Sequence, residues 1–83
     1  MAEEKIGEVE KFFGKISVAA IKLSAPLKVG ETIKFKGHTT DFTQTVESLQ
    51  INNQSIPEAK AGDDIGLKTK EKVRPGDSVF KIT

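Results

Sequence analysis

No cysteine, tryptophan or tyrosine occurs in this chain of 83 residues, and there is one histidine, His38. Without cysteine there is no disulfide and no thiolate–metal site to reinforce a small core. A single histidine leaves carboxylates as the main metal donors, and Asp63-Asp64 read as turn residues rather than ligands. No apolar run approaches the ~18 residues of a membrane span. Net charge is scarce too, since thirteen basic residues face twelve acidic ones. A net charge of +1 makes no global case for nucleic acid or membrane, so such binding would need local clustering. The first residues, Met-Ala-Glu-Glu-Lys-Ile, are acidic and polar and do not read as a secretory signal, so the default location is cytoplasmic. Asn53-Gln54-Ser55 fits a glycosylation pattern but reads as turn chemistry in that setting.

What is present is β-like. The chain has the length of one domain, 1–83, and buries about 60–65% of its unfolded surface. Residues 1–4 are expected to fray. Strands are expected at Lys5–Phe13, Ile16–Leu23, Thr32–Lys36, Thr43–Ile51, Asp64–Lys68 and Ser78–Ile82, from apolar alternation and β-branched content. In the first, Val9, Lys11 and Phe13 share one face, and Glu8, Glu10 and Phe12 share the other. The second is almost continuous in apolar and small residues, as for a strand covered on both sides. In the long strand Thr43–Ile51, Val46 and Leu49 are three apart. A bulge near Glu47-Ser48 would bring both, with Ile51, to the core. Asn52–Ser55 is a turn signal, and Ile56–Ala61 is a connector with one helical turn at most near Glu58–Ala61.

One pattern occurs three times: Leu27-Lys-Val-Gly-Glu-Thr-Ile33, Ala59-Lys-Ala-Gly-Asp-Asp-Ile65 and Val73-Arg-Pro-Gly-Asp-Ser-Val79. Unequal spacing excludes a solenoid. It is one turn reused before three strands. Gly30, Gly62 and Gly76 supply positive φ, and Glu31, Asp63 and Asp77 bond backbone amides.

These blocks resemble the second domain of translational GTPases, the β-barrel of elongation factor Tu and its relatives. The resemblance rests on Leu27-Lys-Val-Gly-Glu31, Val46–Ile51, Ala61-Gly-Asp-Asp-Ile-Gly-Leu67 and Pro75-Gly-Asp77. It covers most of Gly7 to Ile82. It implies an all-β fold: a single small closed antiparallel β-barrel of about six or seven strands. The chain looks most like small translation elongation factor-like proteins of this class. The stretch Gly37–Gln44 also resembles the barrel appended to collagenase-like peptidases. After Leu67, Lys68-Thr69-Lys70-Glu71 departs from the elongation-factor pattern, so recognition of aminoacyl-tRNA is not carried over.

The GTPase machinery is missing. A phosphate loop needs G-x-x-x-x-G-K-[ST]. Here Gly7 and Gly14-Lys15 are separated by six residues, and Ile16 replaces the hydroxyl. No GTP site, cofactor or metal is expected, and no nucleophile stands out beside His38, so the chain reads as a non-enzyme. Two candidate surfaces remain. Lys68, Lys70, Lys72 and Arg74 recur at period two, with Lys34 and Lys36 as a second pair. Such ridges suit structured RNA or ribonucleoprotein, although a solvated face has the same composition. Phe12 and Phe42 are the aromatics available for base stacking, but both also suit the core. The polar loop His38, Thr39, Thr40, Asp41 and Phe42 suits a protein partner. Its plain alternative is a capped loop in which Asp41 and the threonine hydroxyls bond backbone amides. The main expectation is a non-catalytic RNA-binding module. The alternative is a protein-interaction domain related to the barrel of collagenase-like peptidases.

Overall fold

The computed structural model describes residues 2–83, and Met1, part of the expected frayed end, lies outside the described residues. The strands are β1 (Glu3–Phe13), β2 (Val18–Leu23), β3 (Leu27–Lys28), β4 (Thr32–Lys36), β5 (Asp41–Thr45), β6 (Leu49–Ile51), β7 (Gln54–Ile56), β8 (Glu58–Ala59), β9 (Asp64–Lys68) and β10 (Ser78–Ile82). The all-β expectation holds. The expected fraying does not extend to residues 2–4: Ala2 and Thr83 exchange backbone bonds of 2.9–3.0 Å, and Glu3 pairs with Ile82.

The closed barrel is overturned. Eight strands form one open antiparallel sheet in the order β5-β4-β10-β1-β2-β9-β6-β7, and β3 pairs with β8 in a separate two-stranded sheet. The cause lies in the segment expected as one bulged strand. Thr43–Ile51 is broken at Val46–Ser48. Before the break the chain pairs with β4; after it, β6 pairs with β9 and β7. Val46 stays tied to the β4 side, where its N–H donates to the Glu31 carbonyl (2.8 Å) and its carbonyl accepts from the Gly30 N–H (2.8 Å). The break does the work assigned to a bulge for Val46 and Leu49, both fully buried, while Ile51 packs partly buried at the core margin.

Bulges lie in β1 instead. Against β2 the register slips at Glu10, and against β10 it slips at Ile6. The first slip reverses the facing expected for the end of the strand. Val9 is buried, Phe12 packs against the core, and Phe13 points outward. Ile16 also falls outside its expected strand. It sits in the turn before Val18, exposed, beside Ser17 at φ 55°. The connector after Asn53 contains two short strands, β7 and β8, rather than a helical turn. Asn52 and Asn53, at φ 53° and 63°, form a two-residue hairpin loop of the kind that matches strand twist.

The reused turn is borne out in all three copies. Gly30, Gly62 and Gly76 have φ between 92° and 97°. The Lys28, Lys60 and Arg74 N–H groups donate to carboxylate oxygens of Glu31, Asp63 and Asp77 at 2.7, 2.9 and 2.9 Å. Leu27, Ala59 and Val73 lead each copy into the core, and Ile33, Ile65 and Val79 close it there. Each copy is also tied to a remote strand by a reciprocal pair of backbone bonds: Gly30 and Glu31 with Val46, Gly62 and Asp63 with Leu23, and Gly76 and Asp77 with Val9.

Candidate functional site

The polar loop is tighter than expected. Gly37 N–H donates to the Thr40 carbonyl at 2.7 Å, and β5 begins at Asp41. His38 and Thr39 are exposed at the tip, while Thr40 is buried. Asp41 faces Lys34 Nζ (3.9 Å) across the β4–β5 pair, an ion pair in place of the expected cap. Phe42 stacks on Phe35 with centroids 5.1 Å apart, which makes it a core-margin residue.

The basic residues separate into two groups. Lys34 is half-buried and held between Glu3 (3.4 Å) and Asp41 (3.9 Å). Lys36, Lys68, Lys70, Lys72 and Arg74 are exposed and have no ion pair among the described residues. Lys68 ends β9; Thr69 N–H still donates to the Ser17 carbonyl (2.8 Å), and the chain then bends at Lys70 and Glu71. Thr69 and Val73 are buried, while Lys68, Lys70, Glu71, Lys72 and Arg74 are exposed.

The structure brings the two candidate regions together at one seam. At one end, Gln44 of β5 bridges to the segment after β9. Its Nε2 donates to the Lys68 carbonyl (2.9 Å), and its Oε1 accepts from the Lys70 N–H (2.7 Å). At the other end, the buried Asp77 carboxylate sits against Gly37, where any Cβ would collide with Asp77 Oδ1. A cleft of about 390 Å³ lies along the Gln44 end, lined by Gln44, Thr45, Glu47, Lys68, Thr69 and Lys70. Sequence reasoning passed over Gln44. The available signal was a polar residue in register with Phe42 and Val46 on the inward face of a strand.

A second surface was also missed. The outward turn of Phe13 and the exposure of Ile16 leave these side chains 41% and 61% accessible. With Val18, Ala20, Gln50 and Gly66 they line an apolar groove of about 430 Å³ on the outer face of the sheet. Lys11 Nζ lies 5.4 Å from the Phe13 ring centre, a cation–π contact at its margin.

Two carboxylates have perturbed titration. Lys5 bonds Glu8 at 2.7 Å and holds its carboxyl below the usual carboxylate range, first by that hydrogen bond and then by charge. A hydrogen bond shared with Asp64 raises Glu10, and Lys22 sits 3.7 Å from Asp64. Among the described residues no cluster of three or more His, Cys, Asp or Glu is placed to hold a metal ion, and no helix is long and apolar enough to cross a membrane.

No protein-family model matches the chain. It is 43% identical over 79 residues to an uncharacterized protease of Methanocaldococcus jannaschii, spanning 94% of this chain and 19% of that protein. It is 33% identical over 79 residues to a collagenase of Porphyromonas gingivalis, spanning 93% of this chain and 22% of that protein. The chain thus spans about a fifth of the length of the curated relatives it matches. Its fold is that of the C-terminal domain of a Geobacillus thermoleovorans protein designated a U32 peptidase: TM-score 0.90, 19% identity, covering 96% of this chain and 93% of that domain. The elongation-factor reading is corrected by these matches. The resemblance that holds is the one seen in Gly37–Gln44, to a domain appended to collagenase-like peptidases.

Proposed function

We propose that this chain is a non-catalytic accessory domain that works with a peptidase body. The observation that carries this reading is the match of nearly the whole chain to about a fifth of each of two peptidases. The apolar groove at Phe13 and Ile16 supports it. Exposed side chains of this size on one sheet face suit the margin of a domain interface. Burying both would contribute roughly 2–3 kcal/mol, enough to matter for a tethered or modest contact. Phe13, Ile16 and Val18 are the contacts to the peptidase body, and Lys11 lies at the polar rim.

Affinity capture with the tagged chain from its host extract, with and without nuclease, tests this reading. The expected catch is a peptidase, identified by mass spectrometry, retained after nuclease and lost with the double variant Phe13→Ser/Ile16→Ser. Capture that disappears with nuclease, or that contains no peptidase, would refute it.

A further inference from the structure

Where the sheet fails to close, β5 offers an unpaired edge. β5 is an end strand of the sheet and pairs only with β4. In an antiparallel pair, hydrogen-bonded and non-bonded partners alternate. Backbone bonds from Gly37 to Thr40 and from Val46 to Glu31 fix that phase. Phe42 and Gln44 therefore bond β4, while Asp41, Thr43 and Thr45 turn their N–H and C=O groups to the free edge. All three are exposed. Such an edge is a template for another strand.

Across the opening runs the segment from Lys68 to Asp77. Strands pair at about 4.8 Å, and no backbone bond joins this segment to β5 among the described residues. The Gln44 side chain crosses instead, and its two bonds are those a peptide group would make: one donated to the Lys68 carbonyl, one accepted from the Lys70 N–H. The primary amide thus bridges from the inward face of β5 to the segment after β9. Lys68 and Lys70 line the opening with Glu47, and Lys72 and Arg74 follow in the same segment beside Glu71; among the described residues none of the four bases has an ion pair.

We propose that this seam is a strand-addition site for an extended, acidic polypeptide segment. The incoming strand pairs with Asp41, Thr43 and Thr45, displaces the Gln44 amide, and takes over its bonds to Lys68 and Lys70. Main-chain bonding gives affinity with little demand on sequence. The lysines select for acidic side chains. This site is independent of the groove at Phe13 and Ile16, so either proposal can fail alone.

The test is an amide NMR titration of the chain at low salt. The probe is a blocked peptide of about ten residues alternating Thr and Glu, long enough to span a strand of ordinary length. At about 1 mM peptide, shifts and slowed hydrogen exchange are expected at Thr43, Thr45 and Lys70, with Phe13 and Ile16 unmoved. Lys68→Glu/Lys70→Glu, both at exposed positions, should weaken binding about tenfold or more. A peptide of equal charge alternating Pro and Glu cannot form the ladder and should not slow exchange at Thr43 or Thr45. Equal effects from the proline peptide would reduce the site to a charge patch and overturn the proposal. So would an unchanged Thr43 and Thr45, or an oligouridylate that moves these amides where the peptide does not.

Discussion

The reused turns and the open seam solve the same problem by different means. Each must satisfy backbone groups where a strand has no neighbour. In the turns the side-chain partner is three residues away: the carboxylate of Glu31, Asp63 or Asp77 accepts from its own turn, beside backbone bonds to the remote Val46, Leu23 and Val9. At the seam the partner is remote, and Gln44 reaches residues 24 and 26 positions later in the chain. A local cap costs little ordering entropy, because the turn already holds the carboxylate near its donor. A remote side-chain bridge forms only after both strands are in place. Turns of this kind belong to the scaffold. A bridge made by one displaceable side chain marks a place that can open.

The largest expected effect breaks the scaffold side of this contrast. Gly37→Ala should destabilise the domain by about 2 kcal/mol or more in urea unfolding, since its Cβ would drive Asp77 off its seat. Asp77→Ala should lose a similar ~2 kcal/mol, because a buried carboxylate bonded to a backbone N–H is removed. Asp63→Ala, at the more open second turn, should cost about 1 kcal/mol by the same measurement. Gln44→Ala should cost only about 0.5 kcal/mol in stability, yet speed hydrogen exchange at the Lys70 amide. A loss at Gln44 as large as that at Asp77 would show that the seam is scaffold after all.

The smallest effects are electrostatic and repeat the contrast of near and far partners. Glu8 is lowered by Lys5, three residues away. Its contribution to stability is present above the unfolded value of about 4.3 and is lost as pH falls through its lower folded value. Glu10 is raised by Asp64, far along the chain. Its contribution has the opposite sign: present below the unfolded value and lost as pH rises through the higher folded one. Side-chain carboxyl NMR should place the two midpoints on opposite sides of the ordinary value. Lys5→Met should return Glu8 to it and leave Glu10 unmoved.

The same division decides how much was legible in the sequence. The three turns could be read because their glycine, acid and flanking apolar residues lie within seven positions. Strands Thr32–Lys36, Asp64–Lys68 and Ser78–Ile82 could be read because alternation is local. The split of Thr43–Ile51 could not, because it depends on β6 finding β9 across the fold. Closure of a barrel was inferred from resemblance, which does not carry the register of the last pairing. The facing of Phe13 was lost to a bulge at Glu10 that leaves no compositional mark. Of the candidate site, the exposure of Lys68, Lys70, Lys72 and Arg74 was legible from their charge, but the bend at Lys70 and Glu71 departs from the extended run that period-two spacing assumes. Lys34, expected to form a second basic pair with Lys36, is held by Glu3 and Asp41, ion pairs from other strands that local spacing does not show.

Native-state hydrogen exchange of the 83-residue chain tests the contrast most directly. The Arg74 amide, bonded within its turn to the buried Asp77, should exchange only through global unfolding. Lys70, held by Gln44 alone, should exchange through local opening, several kcal/mol sooner, and Thr43 and Thr45 faster still. Equal protection at Arg74, Lys70, Thr43 and Thr45 would mean that the sheet closes in solution, and it would contradict an open, fillable seam.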